Sequence, residues 1–182
     1  MDNTWIEIDL NALKHNIKEI RKRIGRETSI CGVVKDNAYG HGILQVSKTL
    51  IQEGVEYLGV ADVSDGVFLK KNRIKVPVLN LVSNLKEEIK DIVNHDITQC
   101  VSDESQLNLL DAESKSNGKI SKVHVELDTG IGRLGVLPEN FKSLCDRIIK
   151  LKNVKLDGVF THLSKSDIDR GYTLKQIKLF NI

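Results

Sequence analysis

Two kinds of segment alternate strictly along this chain, and no other feature constrains its fold as tightly. Short apolar runs of strand length recur at residues 29–34 (SICGVV), 57–61, 76–81, 97–101, 123–127 and 154–160. Each is rich in Val, Ile or Leu, as suits parallel strands covered on both faces by helices. Amphipathic stretches lie between them. Leu10, Leu13, Ile17, Ile20 and Ile24 recur at steps of three and four, with Asp9 placed to cap that helix and Gly25 to end it. Residues 43–53, 65–71, 85–93, 104–113 and 138–151 read as further helices, and residues 172–182 start another. Pro138 suits a first-turn position. One leading helix followed by about six β–α units predicts an α/β fold with a parallel sheet. A doubly wound open sheet and a (β/α) barrel both satisfy that order, and both gather functional loops at the carboxyl ends of the strands. No linker-like shift in composition and no short-period repeat divides the chain.

The composition narrows the function classes. The net charge of the 182 residues is +2, and Lys and Arg are interleaved with Asp and Glu, so there is no electrostatic footprint for nucleic acid. Only Pro77 and Pro138 interrupt a chain rich in Ile, Leu and Val, which argues against disorder. No apolar run approaches the roughly 18–20 residues of a membrane span. Met1-Asp2-Asn3-Thr4 has neither the basic nor the apolar region of a secretory leader, so a cytoplasmic location without a membrane partner is expected. Cys31, Cys100 and Cys145 are far apart and form no C-x-x-C, which predicts free buried thiols and no zinc site or disulfide framework.

Three strand-end segments carry the chemistry. In Val33-Val34-Lys35-Asp36-Asn37-Ala38-Tyr39-Gly40-His41-Gly42 a lysine closes an apolar run and a polar, glycine-bearing loop follows. A desolvated lysine favours its neutral amine, which can attack a carbonyl and form a Schiff base. The glycines let backbone approach a bound group, and Tyr39 can donate its hydroxyl to a phosphate. In residues 123–136 (VHVELDTGIGRLGV) alternation puts Val123, Val125 and Leu127 on one face and His124, Glu126 and Asp128 on the other. The loop beyond carries Arg133, a donor fork for a carboxylate, phosphate or phenolate oxygen. Gly130, Gly132 and Gly135 match G-x-G-x-x-G, with Asp157 about twenty residues on. They do not open a helix, however, since the helix signal begins at Pro138, and Asp157 sits inside a strand; a dinucleotide site is therefore rejected. His162 follows the last apolar run and shares the expected rim with Lys35 and Arg133. His15 and His95 read as surface residues, and no histidine pair has metal-ligand spacing.

These residues together resemble alanine racemase, a fold-III family that uses pyridoxal 5'-phosphate (PLP). The resemblance spans essentially the whole chain: residues 5–10 (WIEIDL) with Ala12, Leu13 and Asn16, then 33–42, 58–61 (LGVA), 128–136 and 161–163 (THL). It implies that Lys35 holds PLP as a Schiff base and serves as one of two catalytic bases. It further implies that Tyr39 contacts the phosphate, that Arg133 bonds the phenolic oxygen and influences substrate placement, and that His162 lies beside the ring. The implied reaction interconverts L- and D-alanine for peptidoglycan, in a cytoplasmic protein that is a homodimer when full length; the 182-residue chain alone is expected to be an inactive fragment.

Glu126 departs from the family pattern. Several members have there a lysine that can be carbamylated, and the expectation is that the Glu126 carboxylate takes the carbamate's place as partner of Arg133. A (β/α) barrel needs eight strands and about 250 residues. Residues 1–182 are therefore expected to be the N-terminal PLP-binding barrel domain, incomplete at about six βα units and without the family's C-terminal β domain. A serine or broad-specificity racemase, a related PLP decarboxylase and a non-catalytic PLP-binding relative remain open alternatives.

Overall fold

The structure, a computed structural model, describes residues 4–181. The leader reading at Met1–Asn3 and the expected last helical residue, Ile182, lie outside them. The chain packs as two compact units that meet in sequence between Leu79 and Asn80.

The first unit opens with α1 (Leu10–Ile24), bounded as its sequence dictates. The Asp9 carboxylate accepts from the backbone N–H groups of Asn11 (2.8 Å) and Ala12 (3.3 Å), and Gly25, at φ 75°, donates its N–H to the Arg21 carbonyl. Arg21 then ties the following loop down. Its guanidinium donates to the carbonyls of Thr28 (2.6 Å) and Gly54 (3.0 Å) and to both oxygens of Glu56 (2.9 and 3.0 Å). Glu56 also accepts the Ile30 N–H at 2.7 Å; that bond and then the guanidinium hold its carboxyl below the usual range.

β1 (Cys31–Val33), α2 (Ile43–Gln52), β2 (Tyr57–Val60), α3 (Val63–Lys71) and β3 (Val78–Asn80) follow. β1 and β2 run parallel, with Gly32 opposite Leu58. A Cβ on Gly32 would stand 2.7 Å from Leu50 Cδ1, so the bare α-carbon lets α2 close on the strand. Ile17, Val34, Val46, Leu50, Leu58, Val60 and Leu69 form the core of this unit.

In the second unit a 3-10 turn (Lys86–Glu88) leads into α4 (Ile89–Asn94), followed by β4 (Thr98–Val101), α5 (Glu104–Ser116), β5 (Ser121–Glu126), α6 (Pro138–Ile149), β6 (Val154–Phe160) and α7 (Arg170–Phe180). β4, β5 and β6 are parallel neighbours in chain order. Val123 and Val125 are fully buried, and Leu107, Leu110, Leu144 and Ile148 of α5 and α6 are buried with them. Val123 pairs with Leu156 but His124 pairs with Gly158, which leaves Asp157 as the extra residue of a β-bulge. A Cβ on Gly158 would lie 2.6–2.9 Å from three atoms of the His124 ring, so the glycine gives that imidazole its place.

The fold class expected from alternation is therefore present: six strands alternate with helices behind one leading helix. Two expectations need correction. The helix expected over 85–93 is a 3-10 turn that buries nothing, and the α-helix begins only where Ile89, Ile92 and Val93 bury. The thiols are free, but only Cys100 is buried. Cys31 alternates with Gly32, the residue that faces α2, and is exposed. Among the described residues no helix is long and apolar enough to cross a membrane.

The Asp9 cap satisfies two backbone donors of the first turn that have no intrahelical partner. Asp9→Ala should lower stability by about 1 kcal/mol in urea denaturation without changing the steepness of the transition.

Candidate active site

Lys35 stands at the start of an unusual piece of backbone. Asp36, Asn37, Ala38 and Tyr39 have φ of 52, 56, 53 and 55°, so Lys35–Tyr39 closes a left-handed helical turn. Such residues cost about 1–2 kcal/mol each where a Cβ is present, and runs of them are rare. One bond across to β2 and several within the turn hold this one. The Val34 N–H donates to the Gly59 carbonyl of β2 (2.8 Å), the Ala38 N–H to Val34 (2.9 Å), the Gly40 N–H to Asp36 (3.0 Å) and the Gly42 N–H to Asn37 (2.9 Å). Val34 and Ala38 are buried. The Asn37 Oδ1 accepts the Ile43 N–H at 2.9 Å and so caps α2 from inside the turn. His41 Nδ1 lies 2.9 Å from the Ala38 carbonyl; a carbonyl only accepts, so Nδ1 carries the proton.

The turn leaves Lys35 half-buried and Tyr39 59% exposed, with Lys35 Nζ 5.9 Å from the Tyr39 ring centroid. The lysine is thus not enclosed as its place at the end of an apolar run suggested, because the left-handed turn buries Val34 and Ala38 and leaves the Lys35 side chain between them only partly covered.

In the second unit the β5 exit loop is closed at its neck. The Val136 N–H donates to Glu126 (2.8 Å) and the Asp128 N–H to Val136 (2.9 Å). Gly135, at φ 99°, would bring a Cβ within 2.9 Å of the Glu126 carbonyl. Inside the loop Asp128 Oδ1 accepts the N–H groups of Gly130 (2.9 Å) and Gly132 (3.1 Å). The glycines thus build a loop and not a helix start; α6 begins at Pro138. Arg133 is exposed on that loop, whereas Glu126 is only 3% exposed. Burial pushes the Glu126 carboxyl above its ordinary range, the Arg133 charge pulls it back and Asp128 adds repulsion. The expected pairing of Glu126 with Arg133 is therefore electrostatic: among the described residues no ion pair within 4 Å joins them.

His162 is exposed at the exit of β6. Its backbone carbonyl accepts from Gln176 Nε2 at 3.1 Å. Sequence reasoning passed over Gln176, although it lies four residues from Tyr172 and from Phe180 and so puts an amide on the inward stripe of α7. Of the other histidines, His15 is exposed as expected, but His95 is half-buried, its Nδ1 3.0 Å from the Asp91 carbonyl. His124 packs on Phe160, with ring centroids 6.4 Å apart; burial lowers its pKa, against the Asp157 charge.

Lys35 and Tyr39 thus share one turn of the first unit, while Arg133 and His162 sit on the β5 and β6 exits of the second. Among the described residues none of the four side chains is committed to a hydrogen bond or a close ion pair within the protein. No group of three His, Cys, Asp or Glu among the described residues is arranged to hold a metal.

A family profile described as "Alanine racemase, N-terminal domain" matches residues 8–182. The chain belongs to this family. The alanine racemase of Methanococcus maripaludis is 38% identical over 178 residues, covering 97% of this chain and 48% of the relative. That of Treponema denticola is 38% identical over 177 residues, covering 95% and 47%. The chain spans about half the length of the curated relatives it matches. Among solved structures, alanine racemase of Clostridium difficile 630 superposes with a TM-score of 0.93 at 35% identity, over 98% of this chain and 47% of that one. The same enzyme in complex with cycloserine gives 0.94 over 100% and 50%. A histidine racemase from Leuconostoc mesenteroides, 21% identical with a TM-score of 0.87, shares the fold. Of the two layouts open from sequence, these matches select the barrel: the six strand–helix units correspond to the N-terminal barrel portion of the alanine racemase structures.

Two outcomes test this geometry. Asn37→Ala removes the bond that caps α2 and keeps a Cβ in left-handed backbone that alanine tolerates less well than asparagine, whereas Asn37→Gly removes the bond but relieves that strain. The alanine variant should lose about 2 kcal/mol of stability by urea denaturation, and the glycine variant should lose clearly less than the alanine variant. Glu126 contributes a pH dependence of known sign. Burial raises its folded-state pKa above the ordinary 4.5, so its contribution is fully present below that value and is lost as pH rises through the folded pKa. The stability of Glu126→Gln relative to the parent should therefore climb over that window and then level off. A difference that stays flat from about pH 4 to 8 would show the carboxyl unperturbed.

Proposed function

We propose that residues 1–182 form the PLP-binding N-terminal barrel domain of an alanine racemase, a cytoplasmic homodimeric enzyme that interconverts L- and D-alanine for peptidoglycan synthesis. The main support is the uncommitted amine of Lys35, presented by a strained turn directly after β1 in a chain of this family. The donor set fits the cofactor group by group: a primary amine for the aldehyde, an exposed phenol for the phosphate, a guanidinium for the phenolate and an imidazole for the ring.

Bound PLP supplies an electron sink that acidifies the substrate Cα–H. Lys35 Nζ would hold the cofactor through its amine and, as a general base and acid, would move the substrate Cα proton on one face. The Tyr39 hydroxyl donates to the phosphate. Arg133 would donate to the phenolic oxygen and influence substrate placement, with the Glu126 carboxyl near enough to feel its charge. His162 contributes a polar edge beside the ring.

The intact protein, incubated with PLP and reduced with borohydride, should carry the label on Lys35, and Lys35→Ala should carry none there. A label confined to other lysines would overturn the assignment. Coupled to a D-amino-acid oxidase, the intact protein should turn over alanine in preference to serine and lysine. Equal or faster turnover of serine would move it to the serine or broad-specificity class.

A further inference from the structure

Gln176 is 1% exposed, and it is the buried residue among the described residues of α7, where Leu174 and Ile177 are 54% and 38% exposed. A glutamine in that setting costs free energy unless its amide is satisfied. Here it is satisfied completely. Oε1 accepts from the Ser164 N–H (3.0 Å) and from the Ser164 hydroxyl (3.2 Å), while Nε2 donates to Thr129 Oγ1 (3.1 Å) and to the His162 carbonyl (3.1 Å). Two donors and two acceptors are all a glutamine has, and the Ser164 N–H fixes which end of the amide is oxygen.

The bonds continue in one direction. Thr161 Oγ1 donates to the Leu127 carbonyl (2.8 Å), so it accepts from Thr129 Oγ1 (2.7 Å), which in turn accepts from Gln176. Every hydroxyl in this chain of bonds has one possible orientation, and each bond polarises the next. Four residues before Gln176 on the same helix, Tyr172 donates its hydroxyl to the Gly130 carbonyl at 2.6 Å. All these partners belong to the exits of β5 and β6, the segments that carry Arg133 and His162. A leucine or methionine would fill the same space, so packing alone does not account for the amide.

We propose that Gln176 is a positioning residue that locks the β5 and β6 exits into a single arrangement and so fixes where Arg133 and His162 stand. The claim rests on the function proposed above only in what those two residues act upon. Gln176→Met keeps the volume and removes all four bonds. Gln176→Glu keeps the two acceptances, loses both donations and sets a carboxylate oxygen against the His162 carbonyl. In the intact protein both variants should speed amide exchange at residues 129–136 and 161–164 about tenfold or more, while β4 changes less than about twofold.

In the PLP-loaded protein the visible band of the cofactor should titrate with a midpoint displaced in the same sense as in Arg133→Lys, by at least half as much. A purely structural role would lower the unfolding temperature and leave that midpoint in place. Unchanged exchange in the two loops, or a midpoint that moves in Arg133→Lys but not in Gln176→Met, overturns the proposal. Should Gln176→Met not fold, Tyr172→Phe removes a single bond to the β5 exit and should still speed exchange at residues 129–136 relative to β4; no change there counts equally against the lock. Failure of Lys35 to take the label sinks the functional reading, while the exchange rates still decide whether the lock exists.

Discussion

After β1 the chain adopts a conformation that L-residues avoid, and the first unit is organised around keeping it there. Four successive residues with a Cβ, Asp36 to Tyr39, lie in the left-handed region. Their local preference opposes this, so the compensation comes from elsewhere: Val34 bonded across to Gly59, Ala38 buried, and Asn37 used at once as a turn residue and as the cap of α2. Strain held by surrounding structure is characteristic of sites where a side chain must be presented in one way. Here it presents Lys35 and Tyr39 immediately beyond the buried Val34, with Tyr39 exposed. An ordinary right-handed start would have carried both along a helix and would have left the Ile43 N–H without its partner.

The second unit solves a related problem with polar bonds. The β5 exit must be long enough to carry Arg133 and still be rigid. Its neck is closed by backbone bonds around Gly135, its interior by Asp128, and its far side by α7 through Gln176 and Tyr172. Helix α7 is joined to the β exits mainly through an amide and a phenol, which fix direction as well as distance, whereas apolar contacts fix distance only. Glu126 beneath this loop keeps a carboxylate in a poorly solvated place with a guanidinium close enough to act on its charge. That arrangement holds an opposite charge near Arg133 without immobilising either side chain in an ion pair.

Much of this was legible in the residues. The apolar run 154–160 is β6 to the residue, and Asp9 and Gly25 bound α1 as their side chains require. These succeed because period, cap and glycine signals are local: the same few residues that carry the information make the bonds. The rejection of a dinucleotide loop is likewise local, since the helix start at Pro138 decides it. Other features were not legible. The polar run after Lys35 reads as a loop because propensity places Asn and Gly in turns of many kinds. The bulge at Asp157 depends on the pairing register with β5, and the burial of Glu126 depends on what covers it. Gln176 was passed over for the same reason, because a polar residue in an amphipathic helix is taken to face water unless its partners are known.

The sequence by itself determined the order of elements, the family and which polar side chains stand at the strand ends, because each follows from side-chain type and spacing along a few neighbouring positions. Only the tertiary structure decided how those groups are held. It put Lys35 on a left-handed turn, Glu126 in a site that resists its charge, and the Arg133 and His162 segments under one glutamine. Each of these is set by bonds and burial between residues many positions apart, and no local pattern encodes an interaction whose partner is elsewhere in the chain.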